Sequence, residues 1–208
     1  RELGQEMSET KIVEYIDIQA PQEEVFAILE DLEKRVQLSP IWGFADFGPL
    51  PPDFPQEGSR YLVKIKKGEK MEYETEMTAY RPPSKLAYRL AVEMETRVTW
   101  SVQPIAQGTR ITYEELFNPE KVGDEEAIKE FTISVRKVVR GWLKNIKNYA
   151  ELRGGRLKQA IKWLLDRYFL RMSKEQRNVV VTILFLQMIG MISFIMAAIA
   201  LGIAGLVT

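Results

Sequence analysis

The 208 residues include no cysteine and no histidine. Those two absences exclude disulfide cross-links, thiol nucleophiles, serine–histidine–aspartate triads and the usual zinc ligands. Carboxylates, lysine, tyrosine and hydroxyls remain, so any catalysis would be acid/base work of modest scope; no metal site and no cofactor is expected. The chain also lacks net charge, with Lys+Arg and Asp+Glu both at 29. That balance hides a partition. Residues 1–152 carry 21 basic and 27 acidic side chains, a net of −6, residues 153–178 carry eight and two, a net of +6, and residues 179–208 carry none. A mildly acidic folded part argues against a nucleic-acid partner, while a basic segment beside an uncharged one suits anionic lipid. The chain opens on Arg1, and nothing near it reads as an apolar signal segment.

Charge is missing altogether from residues 179–207, a run of 29 in which Thr182, Gln187 and Ser193 are the main polar interruptions. About 20 apolar residues cross a bilayer core of about 30 Å, so the expectation is one transmembrane helix, a tail anchor. Arg167, Arg171, Lys174 and Arg177 precede it and no charge follows, which places the N-terminal domain on the cytoplasmic side of a single-pass membrane protein. Small residues at Ala198/Gly202 and Ala200/Ala204 have the spacing that lets helices approach closely, a route to a homodimer. Just before the run, RLKQAIKWLLDRYFLRM places Leu157, Ile161, Leu164, Leu165, Tyr168 and Met172 at helical spacing among lysines and arginines. That pattern describes a basic amphipathic helix, either lying in the membrane interface or packed back on the domain. Membrane contact is thus expected from residues 156–207.

Upstream, the patterning turns to period two. KIVEYIDI reads as a strand, and APQEEVFAILEDLEK follows as helix with Pro21 at its first turn. SPIWGFADFGPLPPDFPQEGS reads as a loop. Tyr61, Val63 and Ile65 then alternate with Lys64 and Lys66, and Met71, Tyr73, Thr75 and Met77 with Glu72, Glu74 and Glu76. One face is apolar and the other charged, so an antiparallel sheet with one wet face is expected, the lysine and glutamate strands pairing across KGEK. The alternation continues through Leu86, Tyr88, Leu90 and Val92, then Val98, Trp100 and Val102, then Ile111 and Tyr113, giving about six strands. From about Asp124 to Leu152, the stripe Ile128, Phe131, Val135, Val138, Val139, Trp142, Ile146 and Tyr149 predicts a long helix, stopped by Gly154-Gly155 and laid on the concave apolar face of the sheet.

The order strand, helical pair, strands and long C-terminal helix, with APQEEVFAILEDLEK near the start, the hairpin TWSVQPIAQGTRITYEEL and the closing helix, resembles the START-like SRPBCC superfamily over residues 11–152. Its polyketide cyclase/dehydrase and coenzyme Q-binding branches are the most similar. The resemblance implies an α+β helix-grip fold: an antiparallel sheet wrapped around the long helix, enclosing an apolar cavity for a lipid, sterol, quinone or polyketide. The chain departs from the enzymatic branches in having no histidine and from the family in its anchor. The expected organisation is a tail (1–10), a helix-grip domain (11–152), a basic juxtamembrane segment (153–178) and a transmembrane helix (179–207).

Such a cavity would be walled by Tyr73, Tyr88, Trp100 and Tyr113 from strands and by Phe131, Val135 and Trp142 from the helix. Trp42, Phe44 and Phe47 would stand at its mouth as a lid, a membrane-touching lip or a plug. Core packing is the alternative at each position, although a buried phenol needs a hydrogen-bond partner that a ligand head can supply. Glu115, in phase with Ile111 and Tyr113, points inward by alternation; it is a candidate acid, base or head-group ligand in the cavity, or a solvated carboxylate at its rim. Glu93, Glu95 and the acids at 124–126 read as turn and helix-dipole residues. The features favour membrane-anchored, non-catalytic binding or transfer of a hydrophobic small molecule or lipid. A cyclase/dehydratase-type enzyme using Glu115, and a tethered interaction scaffold with a filled core, remain open beside it.

Overall fold

The computed structural model describes residues 9–41, 45–65, 71–172 and 174–207. The N-terminal strand β1 (Thr10–Ile18) leads into two short helices, α1 (Gln22–Glu30) and α2 (Leu32–Gln37). Six strands follow: β2 (Ala45–Phe47), β3 (Arg60–Ile65), β4 (Met71–Arg81), β5 (Lys85–Leu90), β6 (Arg97–Ile105) and β7 (Gly108–Phe117). The long helix α3 (Glu125–Ala150), the shorter α4 (Arg156–Arg167) and the apolar α5 (Lys174–Val207) complete the chain. It divides into two compact units, Arg1–Trp163 and Leu164–Thr208.

The sheet is antiparallel throughout, in the order β1-β7-β6-β5-β4-β3-β2. Seven strands stand where about six were expected, because the stretch read as loop contains β2, whose Phe47 pairs with Val63 of β3. The wet face behaves as the alternation predicts. Lys64 lies opposite Glu72 and pairs with it at 3.1 Å, and Glu76 accepts from Arg89 at 2.8 Å. These exposed pairs fix register and solvate the face, and as surface ion pairs they add little to stability. Lys66 and the KGEK turn fall outside the described residues.

The stretch after Pro21 forms two helices, the helical pair of the order on which the family resemblance rests, although its own pattern reads as one. Asp31 breaks them: its backbone is extended, and its carboxylate accepts from the backbone N–H of Lys34 at 3.0 Å, capping α2. The long helix is capped likewise by Asp124, which accepts from the N–H of Ala127 at 2.9 Å. Val139, Leu143, Ile146 and Tyr149 in its C-terminal half are buried with Ile12, Ile18, Val25, Leu29 and Ile111. Each such aliphatic side chain contributes about 1.5–3 kcal/mol by leaving water. Polar ties hold the helix in place. Glu14 of β1 accepts from Arg136 and Arg140, both at 2.9 Å, and Asn145 donates to the carbonyl of Leu38 at 2.9 Å.

In the second unit α5 includes Val179–Ala197, 19 residues of mean hydropathy 2.5 with none of the span buried within the protein. Among the described residues this is the one helix long and apolar enough to cross a membrane; at ~1.5 Å per residue it reaches about 28 Å. The side chains of Ala198, Ala200, Gly202 and Ala204 lie outside the description. In α4, Leu157, Ile161, Trp163 and Leu164 are exposed along the basic helix, but the helix stops at Arg167. Tyr168 and Met172, expected on the same stripe, fall instead beside a 3-10 turn, Phe169–Arg171.

The β6–β7 hairpin turns at Gly108, whose φ of +129 favours glycine and where a Cβ would sit 2.1 Å from the carbonyl oxygen of Ile18. Gly108→Ala is expected to cost on the order of 3 kcal/mol through strain and displacement of β1. The check is thermal unfolding of the full chain in detergent micelles by near-UV circular dichroism. An unchanged midpoint would mean that β1 is not seated this closely.

Candidate functional site: an apolar cavity between sheet and long helix

Where the C-terminal half of α3 is packed into the core, its N-terminal half stands over open space. A cavity of about 320 Å³ lies between Phe131, Val135 and Val138 of α3, the strand residues Tyr61, Tyr73, Tyr88 and Tyr113, and Leu32, Arg35 and Val36 of α2. The long helix reaches this position because Phe131 is held edge-to-face against Phe117 at 5.1 Å, and Trp142 donates its indole N–H to the carbonyl of Arg35 at 2.9 Å. Aromatic contacts of this kind add about 0.5–1.5 kcal/mol each beyond burial.

Alternation on β7 sends Tyr113 and Glu115 inward together. The Tyr113 hydroxyl donates to Glu115 Oε2 at 2.5 Å, and Glu115 is only 8% exposed. Its carboxyl therefore lies within the wall and not at a solvated rim. Burial raises its pKa from the ordinary 4.5, while the Tyr113 hydroxyl works the other way. The same burial pushes Tyr113 well above 10, with the neighbouring carboxylate adding to the effect. Desolvation raises Tyr61 and Tyr73 to about 12, and raises Tyr88 as well. The phenols thus remain protonated donors over the whole physiological range.

Of the residues expected at the site, Tyr73, Tyr88, Tyr113, Phe131, Val135, Trp142 and Glu115 line one cavity. Trp100 does not line it. Fully buried, it stands behind, edge-to-face with Tyr113 at 4.8 Å and with Trp142 at 5.0 Å, and so sets the position of two wall residues. Its indole N–H makes no hydrogen bond of good geometry, although it lies near enough to the Tyr88 hydroxyl to favour that group's ionised form. Trp42 and Phe44 lie outside the described residues. Phe47 belongs to β2 and is not a wall residue.

Tyr61 and Arg35 are among the wall residues that were not singled out from the sequence. Tyr61 carried a signal, being in phase with Val63 and Ile65. Arg35 carried one only in retrospect. Once Asp31 starts a new helix, Leu32, Arg35 and Val36 share a face, but a charged residue type argues against burial. No group of residues among those described could hold a metal ion.

The raised pKa of Glu115 has a sign that can be checked. A carboxyl that binds its proton more tightly when folded stabilises the fold below its unfolded value near 4.5, and that contribution fades as pH rises through the folded value. Glu115→Gln removes the effect, so the variant should gain stability relative to wild type as the pH is raised from 4.5 through neutrality. Parallel unfolding curves for the two proteins across that range would contradict the burial of this group.

A sequence profile of polyketide cyclase / dehydrase and lipid transport proteins matches residues 9–151. No curated protein matches the sequence. Solved structures share the fold at low identity. One is the di-domain ARO/CYC StfQ from the steffimycin biosynthetic pathway, at TM-score 0.57 and 13% identity, with 69% of this chain covered and 51% of that one. The chain thus spans about half the length of that di-domain protein. A Chromobacterium violaceum protein superposes at TM-score 0.54 and 15% identity, covering 68% of this chain and 97% of its own. A polyketide cyclase-like protein from Corynebacterium glutamicum gives 0.52 and 18%, with coverages of 70% and 93%.

Proposed function

The chain belongs to the polyketide cyclase / dehydrase and lipid transport family, and from that premise we propose that it binds a hydrophobic small molecule or lipid in the cavity and exchanges it with a membrane to which α5 tethers it. The observation that carries this reading is the cavity itself. About 320 Å³ with a mainly apolar lining is left unfilled by the chain's own side chains, which weighs against a scaffold with a packed core. Tethering supports the reading physically, since a ligand dissolved in lipid is presented to a tethered cavity at high effective concentration. The arginines and lysines before the span favour a cytoplasmic domain.

One observation favours a second reading. Glu115 and Tyr113 form a hydrogen-bonded pair in a dry wall, with the carboxyl pKa raised toward the range useful for proton transfer. A cyclase or dehydratase acting on a hydrophobic substrate would use Glu115 as its acid or base. The two readings separate on Glu115→Gln. A carrier retains its ligand and loses no chemistry, whereas an enzyme retains binding and loses conversion.

The test is to purify the full chain in mild detergent, extract it with organic solvent and identify co-purifying compounds by mass spectrometry. A stoichiometric hydrophobic compound is expected. Val135→Trp, which fills the space beside the helix, should lower its occupancy roughly tenfold or more while near-UV dichroism stays native. Equal occupancy in that variant would place the ligand elsewhere. Deleting residues 179–208 should move the protein from the membrane pellet to the supernatant, and continued pelleting would remove α5 as the anchor.

A further inference from the structure

Arg35 is the one basic residue on the cavity wall among the described residues, and it is 1% exposed. A guanidinium presents five N–H donors and stays charged at any physiological pH. One donor goes to the carbonyl of Leu29 at 2.6 Å, and the planar group lies over the ring of Tyr88, 5.3 Å from its centroid. Arg35 makes no ion pair with a carboxylate among the described residues. Buried charges are paired as a rule, because an uncompensated one is strongly destabilising.

Glu115, the one carboxyl on the wall among the described residues, forms no ion pair with Arg35. Glu115 Oε2 is taken by the Tyr113 hydroxyl. Burial raises its pKa and the Tyr113 hydroxyl works the other way. By contrast, the Arg35 charge is felt by both Tyr61 and Tyr88. One end of the cavity is therefore cationic and rich in donors, with two protonated phenols beside the guanidinium, and the wall contributed by α3 is mainly apolar, with Ser134 its one hydroxyl.

Resting on the reading of this cavity as a ligand site, we propose that its ligand is an amphiphile with a single carboxylate head, and that Arg35 supplies the counter-charge for that head. A planar carboxylate matches the guanidinium fork, and Tyr61 and Tyr88 line the same cavity as protonated phenols whose hydroxyls feel the Arg35 charge. The size points to one chain or ring system. A volume of about 320 Å³ lies at the small end of ligand cavities, which span about 300–1,000 Å³, and leaves no room for a two-chain phospholipid.

The experiment titrates dodecanoate and dodecanol, matched in chain and different in head, into the full chain in lipid nanodiscs. Binding is read by tryptophan fluorescence, with empty nanodiscs as reference. Wild type should bind dodecanoate about tenfold or more tightly than dodecanol. Arg35→Met should erase that preference without weakening dodecanol, and Arg35→Lys should keep part of it. Near-UV dichroism establishes that each variant is folded; the acid-against-alcohol comparison in wild type needs no variant. Dodecanol binding as tightly as dodecanoate overturns the carboxylate proposal and leaves the cavity reading standing. A preference that survives in folded Arg35→Met overturns the role of Arg35. Failure of both compounds to bind removes the cavity reading for single-chain amphiphiles, and the proposal with it.

Discussion

The seating of the long helix is the constraint on which the rest depends. Its C-terminal half is anchored by Leu143, Ile146 and Tyr149 in the core and by Asn145 on the backbone of Leu38. Its N-terminal half is carried past the sheet with Phe131 and Val135 only half-buried. Because a helix is stiff over 26 residues, fixing one half determines how far the other half stands from the strands. The cavity is the space that this lever leaves open. Trp142 sits at the fulcrum, where its N–H bond to Arg35 ties α2 to the same arrangement.

Strands with one wet face were legible because charge and apolarity alternate in them without interruption, as in the Lys64–Glu72 pairing. The stripe of α3 was equally plain, since eight apolar positions keep one phase over its whole length. What escaped detection depended on a local break. Read as one helix through residue 34, the stretch after Pro21 leaves Arg35 outside the pattern. Split at Asp31, it turns Arg35 to the interior. No property of an arginine in isolation announces that change of phase. β2 was hidden for a different reason: three residues are too few for alternation to register, and Phe47 is a strand residue only because Val63 is there to pair with it.

The wall of the site was legible residue by residue more than as a shape. Inward phase identified Tyr73, Tyr88 and Tyr113, but phase cannot separate a side chain that faces open volume from one that fills it. Trp100 shows the limit. It has the same phase as a wall residue, and the rings of Tyr113 and Trp142 cover it. Large rings stacked two deep leave only the inner layer in view of a ligand, and layer depth is a property of the packing of α3, not of the strand. Glu115 was placed inward by phase, while its burial followed from the hydroxyl of Tyr113 and the surrounding apolar residues.

The sheet ends in two very different margins. β2 contributes three residues of edge, and β1, nine residues long, carries Lys11 and Asp17 on one face and Glu14 on the other. A neighbouring chain adding a strand at the first margin would gain almost no ladder, and at the second it would have to set its own side chains beside charges that are ion-paired with Glu114, Arg136, Arg140 and Arg110. Crowded copies of this domain therefore have little backbone to share, so its open antiparallel sheet is insulated against edge-to-edge polymerisation.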